Sequence, residues 1–116
     1  MKTPDDTKAT IYIDIDQTII DSKGRAYPNA IECIKKLSQK VNIFIWSAGG
    51  FNYANQVVEN FNLTNYVCGA LPKPDYTIDD LKVCTEFSQN IFPDWKFIKS
   101  FETMLEGKFA EDVRLL

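Results

Sequence analysis

Two kinds of hydrophobic pattern alternate along this chain. Short apolar runs rich in β-branched and aromatic residues predict four strands, at residues 11–13, 41–46, 66–68 and 76–78. Apolar residues spaced three or four positions apart predict two amphipathic helices, the first with Pro28 in its first turn. Their apolar positions are Ala30, Ile31, Ile34 and Leu37, then Phe51, Ala54, Val57, Val58 and Phe61. The same spacing predicts a C-terminal helix from about Asp94 to Phe109.

This order of strands and helices predicts an α/β fold with a mostly parallel central sheet and helices on both faces. The chain has 116 residues, of which 45% are hydrophobic. That length and composition suit one compact domain spanning residues 1–116 and leave no room for a second.

The amino-acid composition excludes several kinds of catalytic site and binding partner. The chain has no histidine, which excludes Ser-His-Asp and Cys-His catalysis and histidine general bases. A net charge of −3 and a pI of about 4.9 argue against general binding of nucleic acid through a basic surface. The odd number of cysteines, three, indicates reduced thiols in a cytoplasmic protein. The polar start, Met1–Thr10, does not have the pattern of a signal peptide, and no apolar run is long enough to span a membrane.

Two carboxylates, Asp14 and Asp16, follow the first predicted strand. A buried strand should not end in two carboxylates unless they meet cations or hydrogen-bond donors. Alternate residues of a strand can point the same way. At the carboxyl end of a parallel strand, such a pair suits one divalent metal ion and one anionic ligand. The alternative is a strand end followed by an Asx-type turn, with both aspartates solvated.

Further candidate ligand-binding groups lie near the ends of the second and fourth predicted strands. They are the Ser47 hydroxyl and the backbone amides of Ala48 and Gly49 after the second strand, Lys73 before the fourth, and Asp79 and Asp80 after the fourth. A hydroxyl and backbone amides at the start of a helix can bind phosphate oxygens, and carboxylates suit Mg²⁺. Because the carboxyl ends of parallel strands share one edge of the sheet, these residues predict a site for a phosphoryl group and Mg²⁺.

Each of these residues also has a plainer interpretation. Ser47 can be the N-cap of the following helix. Lys73, between two prolines, can be a solvated loop residue. Asp79 and Asp80 can start a turn or cap a helix.

Four motifs occur in order between Ile11 and Asp80: Asp14-x-Asp16-x-Thr18, then Ser47, then Lys73, then the pair Asp79-Asp80. In this order and spacing they resemble the motifs of the haloacid dehalogenase (HAD) superfamily of phosphohydrolases. One departure is Gln17, which stands where many members of that family have glycine.

The resemblance implies a three-layer α/β/α Rossmann-like fold and the activity of a Mg²⁺-dependent phosphatase that works through an aspartyl-phosphate. Asp14 would be the nucleophile, and Asp16 the general acid and then the general base. The phosphate-binding residues would be Thr18, Ser47, Ala48, Gly49 and Lys73. The metal ligands would be Asp14, Asp16, Asp79 and Asp80.

Many members of the family carry a cap domain, but this chain has no segment long enough to form one. Residues 19–27 and 62–72 occupy the usual insertion points, and neither segment can fold alone. An open site would admit a phosphorylated small molecule or an accessible phosphate on a macromolecule, unless a second copy of the chain covers it. Two alternatives stay open: a catalytically weak regulatory domain that binds phosphate and Mg²⁺, and a phosphatase of nucleic-acid ends.

Overall fold

The computed structural model describes residues 1–81 and 88–91. The chain divides into two compact units, Met1–Lys73 and Pro74–Leu116. The expectation of one domain over residues 1–116 stays a prediction. The predicted helix from about Asp94 to Phe109 lies outside the described residues, and so does Cys84.

The first unit is built from alternating strands and helices. Their bounds are β1 Thr10–Asp14, α1 Ala30–Leu37, β2 Asn42–Ser47, α2 Phe51–Asn60 and β3 Gly69–Pro72. The strands form a parallel sheet in the order β1-β2-β3. A compact α/β unit with a small parallel sheet and two helices is thus present among the described residues, and the predicted fold class is confirmed at this level.

The buried core of this unit lies on one face of β2. Ile43 and Ile45 alternate along the strand toward that face and are fully buried. Both helices contribute to the same cluster, with Ile34 from α1 and Ala54, Val57 and Val58 from α2. The loop after β1 adds Ile15, Ile19 and Ile20, so the core extends beneath the predicted site.

The opposite face of the sheet carries aromatic side chains. The Tyr12 ring lies 5.3 Å from the Phe44 ring and 4.8 Å from the Trp46 ring, measured between ring centroids. Tyr12 is nevertheless 47% exposed. The expectation that β1 is fully buried is therefore wrong for its first half: Thr10, Ile11 and Tyr12 are exposed and only its end is partly covered.

Three local predictions also need correction. The third strand begins at Gly69 rather than near Tyr66, because the amides of Tyr66 and Val67 donate to the Leu63 carbonyl in a turn. Pro28 precedes the N-cap, Asn29, so it is outside the first turn of α1. Phe51 begins α2 but is 51% exposed and does not join the core.

The described part of the second unit is a parallel pair of strands, β4 Tyr76–Ile78 and β5 Gln89–Ile91. The sequence predicts the bounds of β4 correctly, but its assignment to the central sheet is not found: among the described residues β4 pairs with β5 in a separate two-stranded sheet. The sequence-based prediction has no strand at the position of β5. Among the described residues, no helix is long and apolar enough to cross a membrane.

Candidate functional site

An ion pair joins the ends of two strands of the first unit. Lys73, directly after β3, has its Nζ 3.1 Å from Oδ1 of Asp14, the last residue of β1. The backbone N–H of Lys73 donates to the Ser47 carbonyl at 2.8 Å, which fixes where the side chain starts. Its ammonium also lies 5.6 Å from the centre of the Trp46 ring. The Lys73 side chain is only 21% exposed, so the interpretation of Lys73 as a solvated loop residue is wrong.

The loop after β1 folds back on itself around a buried isoleucine. The Ile15 carbonyl accepts hydrogen bonds from the amides of Thr18, Ile19 and Ile20. This turn brings the Thr18 hydroxyl to 3.4 Å from Asp14 Oδ2, a long hydrogen bond. Gln17 has a φ of 62°, the left-handed region in which glycine is at ease. Glycine would adopt this conformation with less strain than glutamine does.

Ser47 is buried at the end of β2, and its side chain makes a hydrogen bond within the turn that follows the strand. Its Oγ accepts the Gly49 N–H at 2.9 Å. Helix α2 begins at Phe51, four residues after Ser47, with Gly50 in the N-cap position and no side-chain cap. Ser47 is therefore not the N-cap. The Gly49 amide is already engaged by Ser47, whereas Ala48 is exposed at the turn.

Asp16 meets a residue that was not among the predicted site residues. The Tyr53 hydroxyl, from the first turn of α2, donates to Asp16 Oδ1 at 2.6 Å. This hydrogen bond, with help from burial and from the charges of Asp16 and Asp14, raises the pKa of Tyr53 to about 12. The signal available in the sequence was a tyrosine one turn into the helix that follows Ser47-Ala48-Gly49-Gly50, on the side of the helix that packs on the core.

The acidic pair Asp79-Asp80 follows β4 in the second unit. Asp79 Oδ1 accepts the Leu81 N–H at 2.8 Å, so the interpretation of this pair as the start of a turn has support. The backbone of Asp79 is held from β5, since Asn90 Nδ2 donates to its carbonyl at 3.1 Å. The part of Asp79 and Asp80 in a metal site stays a prediction from the sequence.

The donors in the first unit fit Mg²⁺ in chemical type. Asp14 supplies a carboxylate oxygen and Asp16 its backbone carbonyl oxygen, both hard ligands of the kind that this ion prefers. Over residues 1–81 and 88–91, no three acidic or cysteine side chains come together as a metal-binding group. The two aspartates are thus a partial ligand set, which water or substrate oxygens would complete, as is usual for Mg²⁺.

Comparison with protein-family models, with curated proteins and with solved structures finds no match to this chain. The functional argument therefore rests on the four motifs and on the contacts of the site.

Proposed function

We propose that this chain is a Mg²⁺-dependent phosphatase that cleaves phosphomonoesters through an aspartyl-phosphate on Asp14. The observation that carries the proposal is the contact of Asp14 with Lys73 at 3.1 Å, at the carboxyl end of a parallel strand. A carboxylate and a phosphate dianion repel each other unless a cation lies between or beside them. Lys73 is such a cation, and Asp14 remains partly exposed to an incoming ligand.

In the proposed reaction, an Asp14 oxygen forms a bond to phosphorus as the bond from phosphorus to the leaving oxygen breaks. Asp16 gives its proton to that leaving oxygen. Water then attacks phosphorus in the aspartyl-phosphate and passes a proton to Asp16 as the bond from phosphorus to the Asp14 oxygen breaks. This step releases inorganic phosphate and restores the Asp14 carboxylate and the protonated Asp16. Thr18, Ser47, Ala48, Gly49 and Lys73 would bind phosphate oxygens; the engagement of the Gly49 amide by Ser47 makes Gly49 the weakest member of that set.

Asp14, through its carboxylate, and Asp16, through its backbone carbonyl, would hold the Mg²⁺ ion. The ion would neutralise negative charge on the transferring phosphoryl group. Phosphoryl transfer depends mainly on such positioning and charge neutralisation, so a small site with few groups is sufficient for it.

We further propose that the chain is a small, capless protein with a HAD-like three-layer fold. Support comes from the segment between β1 and α1, where an insertion would otherwise lie. It is a tight turn, in which the Asp21 N–H donates to the Arg25 carbonyl at 2.8 Å. The Asp21 carboxylate also accepts a hydrogen bond from the Arg25 Nε at 3.1 Å. Ile20 and Ala26 form an isolated bridge across it. No cap fits between these residues.

The decisive experiment is phosphate release from a panel containing an activated aryl phosphate, sugar phosphates, nucleotides and 5′- and 3′-phosphorylated oligonucleotides. Wild type should release phosphate with Mg²⁺ and lose this activity in excess chelator. Asp14→Asn should lower turnover at least ~100-fold, because an amide is a far weaker nucleophile than a carboxylate. The matched control is Asp6→Asn, the same change at an exposed residue of the N-terminal segment, which should leave turnover unchanged.

The same panel separates the alternatives. Phosphate and Mg²⁺ binding without turnover on any substrate would favour a regulatory domain. Turnover confined to oligonucleotide ends would favour a nucleic-acid-end phosphatase. A beryllium fluoride adduct on a carboxylate other than Asp14, or an Asp14→Asn variant that keeps most of its activity, would overturn the mechanism.

A further inference from the structure

We infer that Tyr53 is a positioning residue for Asp16, holding its carboxyl group in one orientation for proton transfer. The inference rests on the proposed function, because it assigns to Asp16 the role of acid and base. It concerns a residue outside the motifs that led to that proposal.

The first observation is the contrast between the two side chains. Asp16 is exposed at the loop after β1, whereas Tyr53 is half-buried and packs against the core cluster. An exposed aspartate rotates freely among its rotamers unless something holds it. The 2.6 Å hydrogen bond from the Tyr53 hydroxyl to Asp16 Oδ1 anchors the mobile group to the rigid one.

The second observation is which oxygen the hydroxyl engages. With Oδ1 accepting from Tyr53, Oδ2 is left to carry the proton that moves to and from the substrate. A carboxylate oxygen and the carbonyl oxygen of a carboxylic acid both accept hydrogen bonds. The contact therefore persists whether Asp16 is charged or protonated, and it can serve both half-reactions.

The third observation is the space that Tyr53 occupies. A Cβ atom added at Gly49 would lie 2.9 Å from Tyr53 Cδ2 and 3.3 Å from Ser47 Oγ. The ring thus packs directly on the backbone of the turn after β2, and only glycine leaves room for it there. Through its ring Tyr53 contacts Gly49, and through its hydroxyl it contacts Asp16. It thereby links the turn that follows Ser47 to the loop that carries Asp16.

The test compares Tyr53→Phe with Tyr66→Phe, a matched loss of one hydroxyl from a half-buried tyrosine whose ring contacts Lys35 rather than the site. With an alkyl phosphate, whose leaving group needs protonation, Tyr53→Phe should lower kcat about 10-fold and leave KM within about twofold, as expected for part of a general-acid contribution. With an activated aryl phosphate the fall in kcat should be smaller. Tyr66→Phe should match wild type on both substrates.

A second readout does not need turnover. In protein labelled with ¹³C at aspartate carboxyl carbons, the Asp16 signal, assigned by its loss in Asp16→Asn, should shift in Tyr53→Phe and in Gly49→Ala but not in Tyr66→Phe. An Asp16 signal unmoved in Tyr53→Phe, or equal losses of kcat on both substrates, would overturn the positioning role. If wild type releases no phosphate at all, the proposed function fails, and the positioning role for catalysis falls with it even where the NMR shift is seen.

Discussion

Gln17 bears the most unusual backbone conformation in the loop that carries Asp14 and Asp16. Its φ of 62° is costly for most residues and unfavourable above all for β-branched ones. Its N–H donates to the Ile20 carbonyl at 2.8 Å, so the turn depends on this conformation. Within the part of the chain that the structure describes, its side chain makes one hydrogen bond, which it accepts from the Tyr27 hydroxyl at 3.2 Å in an exposed position.

Gln17→Gly should therefore hold or raise the free energy of unfolding, and Gln17→Val should lower it by about 1–2 kcal/mol. Chemical denaturation of the two variants beside wild type measures both effects. Tyr27→Phe, which removes the hydrogen bond to Gln17 without touching the backbone, is the control and should change stability by less than about 0.5 kcal/mol. If Gly and Val behave alike, the left-handed conformation is not what the loop requires.

At the residue scale, the sequence predicts some side-chain contacts of the candidate site and misses others. Asp14, Asp16 and Lys73 were predictable because charged residues at strand ends need partners, and the structure brings Lys73 to Asp14. Tyr53 was not predictable in this way. A tyrosine beside the apolar positions of a helix is compatible with simple core packing, and only the tertiary fold decides where its hydroxyl points.

Among the elements, the N-terminal segment shows how a polar stretch is fixed to a sheet. Asn42, the first residue of β2, is buried. Its Oδ1 accepts the Asp5 N–H, and its Nδ2 donates to the Asp5 carbonyl, both at 2.8 Å. Further contacts reach Lys8 and Thr10. The side chain of Asn42 thus hydrogen-bonds to several backbone groups of residues 5–8, a segment that precedes the first strand and is itself neither helix nor strand.

Asn42→Leu should destabilise the protein by about 1–3 kcal/mol, because it leaves the Asp5 N–H without its hydrogen-bond partner. Hydrogen exchange should show faster exchange at the Asp5 amide in the same variant. Asn55→Leu is the matched control. Asn55 lies on α2, and its one side-chain hydrogen bond to the described residues is an exposed contact with Glu59, so the change in stability should stay below about 0.5 kcal/mol. Unchanged stability and exchange in Asn42→Leu would show that the segment is held by other contacts.

Element boundaries explain where the sequence-based predictions of the strands and helices were less accurate. Tyr66, Val67 and Cys68 have the composition of a strand, yet β3 starts at Gly69. Asn62, with a φ of 56°, reverses the chain after α2, and the turn that follows takes up residues as far as Val67. The hydrogen bonds of that turn compete successfully with strand pairing, and hydrophobic pattern alone does not record this competition.

For the molecule as a whole, the described core clusters in the first unit, beneath the loop that carries the site. Ile15 lies between Asp14 and Asp16, Ile19 and Ile20 directly follow Thr18, and all three are buried. The positions of Asp14, Asp16 and Thr18 therefore depend on the packing of the core, and a ligand that binds them should stabilise the fold. This is a linkage between binding and global stability that does not require any turnover.

Mg²⁺ should raise the thermal midpoint of wild type. When the ion is at 100 times its dissociation constant, the free energy of unfolding should rise by about 2.7 kcal/mol. Asp14→Asn should remove most of this gain, since it replaces an anionic ligand with a neutral one. Without metal, the same variant also loses the ion pair with Lys73, which is partly exposed and should contribute only up to about 1 kcal/mol. The two effects are separable because only the first depends on Mg²⁺ concentration.

Differential scanning calorimetry over a series of Mg²⁺ concentrations, at constant ionic strength, provides the measurement. Asp6→Asn makes the same charge change at an exposed residue that precedes the other end of β1, and this variant should respond to Mg²⁺ as wild type does. Equal gains in wild type and Asp14→Asn would place the bound ion away from Asp14. No gain in wild type at millimolar Mg²⁺ would remove the metal from the proposed mechanism, and Lys73 alone would then have to offset the repulsion between Asp14 and a phosphate.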